Sequence, residues 1–105
     1  MRTRARIDGN HTEIAAALRK AGATVESLAP LGRGVPDLLV GHSGRNYLLE
    51  IKDGAKRPSR RRLTQDEREW HAGWRGMVQT VECIGDALRV IGLAAGPGQA
   101  TKGKD

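Results

Sequence analysis

The chain has no phenylalanine, one tyrosine and two tryptophans in 105 residues. A core drawn from this inventory is small and aliphatic, resting on Leu, Val, Ile and Ala, with Trp70, Trp74 and Tyr47 as the large rings available to it. Cys83 is the sole cysteine, which excludes an intrachain disulfide and any multi-cysteine zinc site and suits a reducing compartment. No run of 18 apolar residues occurs, and the basic opening MRTRARIDGN is followed by no apolar stretch of signal-peptide length. The expected location is therefore cytoplasmic, with no membrane partner. A second independent core does not fit in a chain of this length, so one domain is expected.

What is present in quantity is glycine, at 14 residues, and positive charge. Eighteen Lys and Arg against twelve Asp and Glu give a formal charge of +6 and a pI near 10.2, a balance that favours polyanionic partners, nucleic acid first among them. A soluble basic protein without such a partner has the same composition.

Ile14, Leu18 and Ala21 recur at helical spacing after Asn10, a good N-cap residue, so a first helix is expected from Asn10 to about Gly22. Thr24 to Leu28 alternates as a strand does, and a Pro- and Gly-rich connection runs from Pro30 to Pro36. Two short strands, Asp37–Val40 and Tyr47–Lys52, flank the turn-forming stretch Gly41–Asn46 and read as a hairpin. The segment Asp53–Arg62 carries five basic residues and reads as a surface loop. Thr64 and Glu67 have the spacing of a capping box for a second helix that Gly76 would stop. Met77–Val81 reads as a further strand and Gly85–Ile91 as a last helix. The expected fold is α/β, a mixed sheet flanked by helices in the order α-β-β-β-α-β-α, over residues 10–92. Residues 1–9 are a basic arm and 93–105 a flexible tail.

Chemistry concentrates on the hairpin. Period-two geometry puts Leu48, Glu50 and Lys52 on one face of their strand and Tyr47, Leu49 and Ile51 on the other. A two-residue turn at Ser43-Gly44 sets Asp37 opposite Glu50, and one at Gly44-Arg45 sets it opposite Lys52. A three-residue loop without a bulge moves Asp37 to the other face. Two carboxylates at cross-strand distance repel unless a cation lies between them, and oxygen donors favour a hard ion, Mg²⁺ or Mn²⁺. Glu50 and Lys52 alone would otherwise be an ordinary ion pair on a solvated sheet.

The run Gly34-Val35-Pro36-Asp37-Leu38-Leu39-Val40, followed by Tyr47-Leu48-Leu49-Glu50-Ile51-Lys52, resembles the PD-(D/E)XK signature of the restriction-endonuclease-like nucleases. The G-V-P-D-L form and the later Leu63-Thr64-Gln65-Asp66-Glu67 resemble the VRR-NUC (virus-type replication-repair nuclease) branch, seen as small phage-type proteins. The resemblance covers about Asn10 to Ile91. It implies a restriction-endonuclease-like fold and a Mg²⁺- or Mn²⁺-dependent endodeoxyribonuclease in a bacterial or phage-infected cell. Its DNA substrates would include branched, Holliday-junction-like forms, as for resolvase-like relatives. Asp37 and Glu50 would bind the metal with the backbone carbonyl of Ile51, and Lys52 would assist catalysis. A Glu on the first helix and a Gln on the helix after the Lys would be Glu13 and Gln65, Glu13 also as a metal ligand. Glu13 has a competing role as the return arm of a capping box from Asn10, and Gln65 has one as a solvated first-turn residue.

Lys56, Arg57, Arg60, Arg61 and Arg62 follow Lys52 closely enough to track a DNA backbone, and Arg33 in its Gly-rich turn is a further candidate. His11, His42 and His71 show no metal-ligand spacing and read as surface or packing residues. Trp70 and Trp74, four apart, read as core or dimer contacts rather than a base-stacking platform. A homodimer would present two sites to a duplex or junction. Two other classes compete with the nuclease: a non-catalytic nucleic-acid-binding module of the same fold, and a protein-interaction domain built on the Trp pair.

Overall fold

The computed structural model describes residues 10–93, so the basic arm and all but the first residue of the expected tail lie outside the described residues. Helix α1 (His11–Lys20) leads into strand β1 (Thr24–Ser27). After a 3₁₀ turn at Ala29–Leu31 come β2 (Leu38–His42) and β3 (Arg45–Ile51). A second 3₁₀ turn at Pro58–Arg60 precedes α2 (Gln65–Gly73), β4 (Gln79–Val81) and α3 (Ile84–Val90). The order is the expected α-β-β-β-α-β-α, and the strands form one mixed sheet in the order β1-β2-β3-β4. The first three strands are antiparallel neighbours, while β4 pairs parallel with β3 after the α2 crossover.

The core is aliphatic, as the shortage of rings demands. Ile14 and Leu18 of α1 and Ala87 and Ile91 at α3 close over Val25, Leu38, Val40, Leu49, Ile51 and Val81 of the sheet. All ten are buried. Leu49 and Ile51 supply this face because they alternate along β3, and the intervening residues point to the α2 side. Tyr47 is only packed against the cluster.

Trp70 and Trp74 are not core residues. They stack on each other with centroids 4.6 Å apart, and with Leu39, Tyr47, Leu48 and Met77 they line an apolar surface cleft. None of the residues of α2 is buried, so the i,i+4 ring pair covers the outer face of the sheet instead of entering its interior.

Several boundaries shift for local reasons. Asn10 precedes α1 without capping it; its Nδ2 donates to the carbonyl oxygens of Lys52 and Glu82, each at 3.2 Å, and so ties the helix start to β3 and β4. The expected capping box between Asn10 and Glu13 is therefore absent. The capping box of α2 does form: Thr64 Oγ1 accepts from the Glu67 N–H at 3.2 Å and Glu67 Oε1 accepts from the Thr64 N–H at 2.8 Å. Helix α2 stops at Gly73, three residues before Gly76, where Trp74 turns extended. The basic segment after Lys52 is not wholly irregular, because Pro58 starts a 3₁₀ turn within it.

Candidate active site

The hairpin register settles which of the expected arrangements forms. His42 pairs with Arg45 and Leu38 with Leu49, leaving Ser43-Gly44 as a two-residue turn. Both turn residues have positive φ, 51° and 79°, the combination of the primed turn that matches strand twist. The same register carried one step further sets Asp37 opposite Glu50. There the Asp37 N–H donates to the Leu49 carbonyl oxygen at 3.0 Å, and Asp37 Oδ2 accepts from the Ile51 N–H at 2.6 Å. Asp37, Glu50 and Lys52 thus gather on the α2 side of the sheet.

Two of these groups are buried and Asp37 is half-buried. Glu50 is 1% exposed and Lys52 9%. Burial, the Asp37 carboxylate beside it and then Glu67 push the Glu50 carboxyl up to about 10. Burial also raises Asp37, against the lowering effect of the Ile51 N–H. At neutral pH the pair therefore holds a proton that two ordinary carboxyls would have lost. Glu50 Oε1 is buried without a hydrogen-bond partner.

Helix α2 brings in two residues that sequence reading gave other roles. Glu67 Oε1 lies 2.8 Å from Lys52 Nζ, and His71 Nε2 lies 3.6 Å from Glu50 Oε1. Burial works against ionising Glu67, but the hydrogen bonds from Lys52 and the Thr64 N–H outweigh it and hold its carboxyl below the usual range. The pairing follows from two repeats that match. Residues four apart on a helix rise about 6 Å, and residues two apart on a strand rise about 6.6 Å. Glu67 and His71 can therefore meet Lys52 and Glu50 at the same time. On the other flank is His11, 6% exposed, with Nε2 also buried and unpartnered and close enough to Asp37 to favour its charged form. His11 shares the inward stripe of α1 with Ile14, Ala15 and Leu18; that i, i+3, i+4, i+7 spacing was a signal available in the sequence.

The remaining expected residues are placed as follows. Glu13 is exposed and lines a different cleft with Asn10, Asp53 and Glu82, away from Asp37 and Glu50. Gln65 is exposed, and its Nε2 donates to Glu69 on the outer side of α2 at 3.1 Å. Neither is brought to the cluster, since each lies about two residues, or roughly 200° of helix, from the inward neighbour His11 or Glu67. Lys56, Arg57, Arg60 and Arg62 are exposed, whereas Arg61 is half-buried and paired with Glu82 at 3.0 Å. Arg33 lines the cleft of about 340 Å³ that also contains Asp37, Glu50, Ile51, Lys52 and Glu67. It holds φ at 55°, a left-handed conformation uncommon outside glycine. Next to it Gly34, at φ +83°, lies so near α2 that a β-carbon would meet the Asp66 carbonyl oxygen at 2.3 Å.

A hard divalent cation fits this donor set. Mg²⁺ is commonly held by one or two carboxylates with water making up the shell, and Asp37 and Glu50 are two carboxyls that burial alone cannot keep ionised together. The orphaned Glu50 Oε1 is the donor such an ion would satisfy. Among the described residues no group of three or more His, Cys, Asp or Glu side chains could hold a metal ion, so any ion here would rest on these two carboxylates and water.

No protein-family model matches the chain, and a search of curated proteins finds no match. Among solved structures the chain is similar to one described as a VRR_NUC domain, at 28% identity and a TM-score of 0.48, over 76% of this chain and 87% of the other.

Proposed function

We propose that the chain is a metal-dependent nuclease of the VRR-NUC type that hydrolyses DNA phosphodiesters. The observation that carries this reading is the approach of Asp37, just before β2, to Glu50 on β3, with Glu50 buried and Asp37 half-buried, both facing one cleft beside Lys52. A buried carboxyl pair with no cation is costly to keep ionised and adds nothing to a sheet that a Leu pair would not supply better. Bound between Asp37 and Glu50, a Mg²⁺ or Mn²⁺ ion would polarise the scissile phosphate and lower the pKa of a bound water. Lys52 supplies the positive charge beside that position, oriented by Glu67 until a phosphate oxygen takes over as its partner. Ile51 contributes its N–H to fix the Asp37 carboxylate. Arg33 and the exposed Lys56, Arg57, Arg60 and Arg62 border the cleft or follow Lys52, where they would hold the DNA backbone. The reading extends to a homodimer acting on branched DNA in the cytoplasm, the arrangement in which two such sites serve two strands.

Incubation with supercoiled plasmid and with a four-way junction, in Mg²⁺, Mn²⁺ or EDTA, tests it. Cleavage is expected with metal and none with EDTA, and Asp37→Asn and Lys52→Ala are expected to lower the rate at least about a hundredfold. Salt-dependent DNA binding with no cleavage by the wild-type chain in either metal would instead leave a non-catalytic binding module. Undiminished cleavage by both variants would refute the site.

The basic segment makes a separate prediction. Neutralising Lys56, Arg57, Arg60 or Arg62 should each reduce the slope of log affinity against log salt by up to about 0.9 on duplex DNA. Arg61→Gln should change that slope least, because its guanidinium already serves Glu82. Equal slopes in all five variants would remove this segment from the DNA-binding surface.

A further inference from the structure

The chain's two tryptophans and its single tyrosine all line one cleft of about 540 Å³, together with Leu39, Leu48 and Met77. Among the described residues no charged side chain borders it. Trp70 covers one face of Trp74, with centroids 4.6 Å apart and planes at 18°. Trp74 is nevertheless 45% exposed, beside Met77 at 69%. Backbone holds the indole at its edge, since a β-carbon on Gly76 would meet Trp74 Nε1 at 2.9 Å. The stack therefore ends in a fixed ring with open area.

This cleft runs into the candidate active site. Val35 lines both, and a groove bordered by Arg33, Asp66, Glu69 and Trp70 shares residues with each. Along β3, Leu48 in the one and Glu50 in the other are successive residues of a single face, about 6.6 Å apart. We propose that the cleft stacks an unpaired base of the strand being cut against Trp74, so that the site takes DNA whose bases are open beside the scissile phosphate. The proposal rests on the nuclease reading and adds a base-binding subsite to it. Stacking on an aromatic ring needs no charged partner and accepts any base, because every base has a π face. Asp66 and Glu69 would repel a phosphate in the joining groove, whereas a neutral base can pass. Exposed Arg33, and exposed Arg75 between Trp74 and Gly76, are left for the sugar-phosphate strand outside. A second copy of the chain seated on the same surface would cover Val35 and Arg33, which border the cleft that the substrate has to enter.

Both tryptophans of the chain lie in the cleft, so intrinsic fluorescence reads it alone. In EDTA, which prevents metal-dependent cleavage, an oligothymidylate of about eight residues is expected to quench that fluorescence. An abasic strand of the same length and charge should bind without quenching, and a blunt duplex should quench little. Trp74→Ala should weaken oligothymidylate binding about 5- to 100-fold and binding of the abasic strand less than about twofold, and Trp74→Phe should recover most of the loss. Comparing the two strands on the wild type makes the test independent of how well a variant folds.

No quenching by the oligothymidylate, equal quenching by the abasic strand, or binding unchanged in Trp74→Ala would overturn the subsite. Metal-dependent cleavage seen beside any of these results would leave the nuclease reading standing. Light scattering that finds a wild-type dimer and a monomeric Trp74→Ala, with no quenching by the single strand, would give the cleft to a second copy instead. Base-dependent quenching in a chain that cleaves nothing in Mg²⁺ or Mn²⁺ would uphold the base-binding cleft and refute the nuclease.

Discussion

Replacing Glu50 with Gln should abolish cleavage and, in the same protein, raise the stability of the metal-free fold. The two effects have one cause. The Glu50 carboxyl is pushed up to about 10, chiefly by burial and then by Asp37, from an ordinary value of 4.5. Between those limits the folded chain keeps a proton that the unfolded chain releases, so the stability contributed by the protonated form is complete below about pH 4.5 and is lost steadily as pH rises towards 10. At pH 7, about 2.5 units above the lower limit, the loss is about 3 kcal/mol. Gln cannot ionise and suffers none of it. Urea unfolding in EDTA should therefore find Glu50→Gln more stable than the wild type by about that amount at pH 7, with the gap closing below pH 4 and widening at pH 8.5. Millimolar Mn²⁺ should narrow or reverse the order, since a ligand of the native state stabilises only the protein that binds it. Finding the variant less stable at pH 7 in EDTA would mean that Glu50 is not held protonated.

Gly34→Ala should damage the site from a distance. Its φ of +83° disfavours any β-carbon, and the Asp66 carbonyl oxygen 2.3 Å from that atom belongs to backbone in the first turn of α2. A strained φ and a clash that only movement of the helix can relieve together cost about 2 to 4 kcal/mol. Because the yielding element carries Glu67 and His71, the loss should extend to the ion pair with Lys52. Cleavage should fall even where circular dichroism shows the fold intact. A Gly34→Ala protein with wild-type unfolding and wild-type rate would show that the loop and α2 are not in contact.

Much of this was readable in the sequence where the signal was short-range. The alternation of Leu48, Glu50 and Lys52 against Leu49 and Ile51 fixed two faces of β3, and Thr64 with Glu67 announced the start of α2. The hairpin left three registers open. Ser43-Gly44 decided among them because Ser43 takes a positive φ, which its residue type does not advertise. What could not be read was the docking of α2, a contact between residues 15 and 21 positions apart, which gives the capping residue Glu67 a second partner in Lys52 and sets His71, read as a surface or packing residue, beside Glu50. Glu13 and His11 illustrate a different failure. A family pattern drew attention to the carboxylate, while the apolar stripe running through Ile14 and Leu18 already marked His11 as the inward residue. Trp70 and Trp74 stay out of the core, one of the two places expected for them, because ring size is a poor guide when the helix bearing them has no buried face.

That last feature bears on how the domain is put together. A helix with no buried residue has little apolar surface to seat it beyond the Trp70–Trp74 pair over Leu39 and Leu48, and α2 is tied to the sheet besides by the ion pair of Glu67 with Lys52, with Gly34 setting the gap. Seating the helix and placing the Lys52 ammonium are then a single event. If the proposed function holds, a phosphate that drew Lys52 away from Glu67 would remove that ion pair and loosen the start of α2, and its departure would restore the pair.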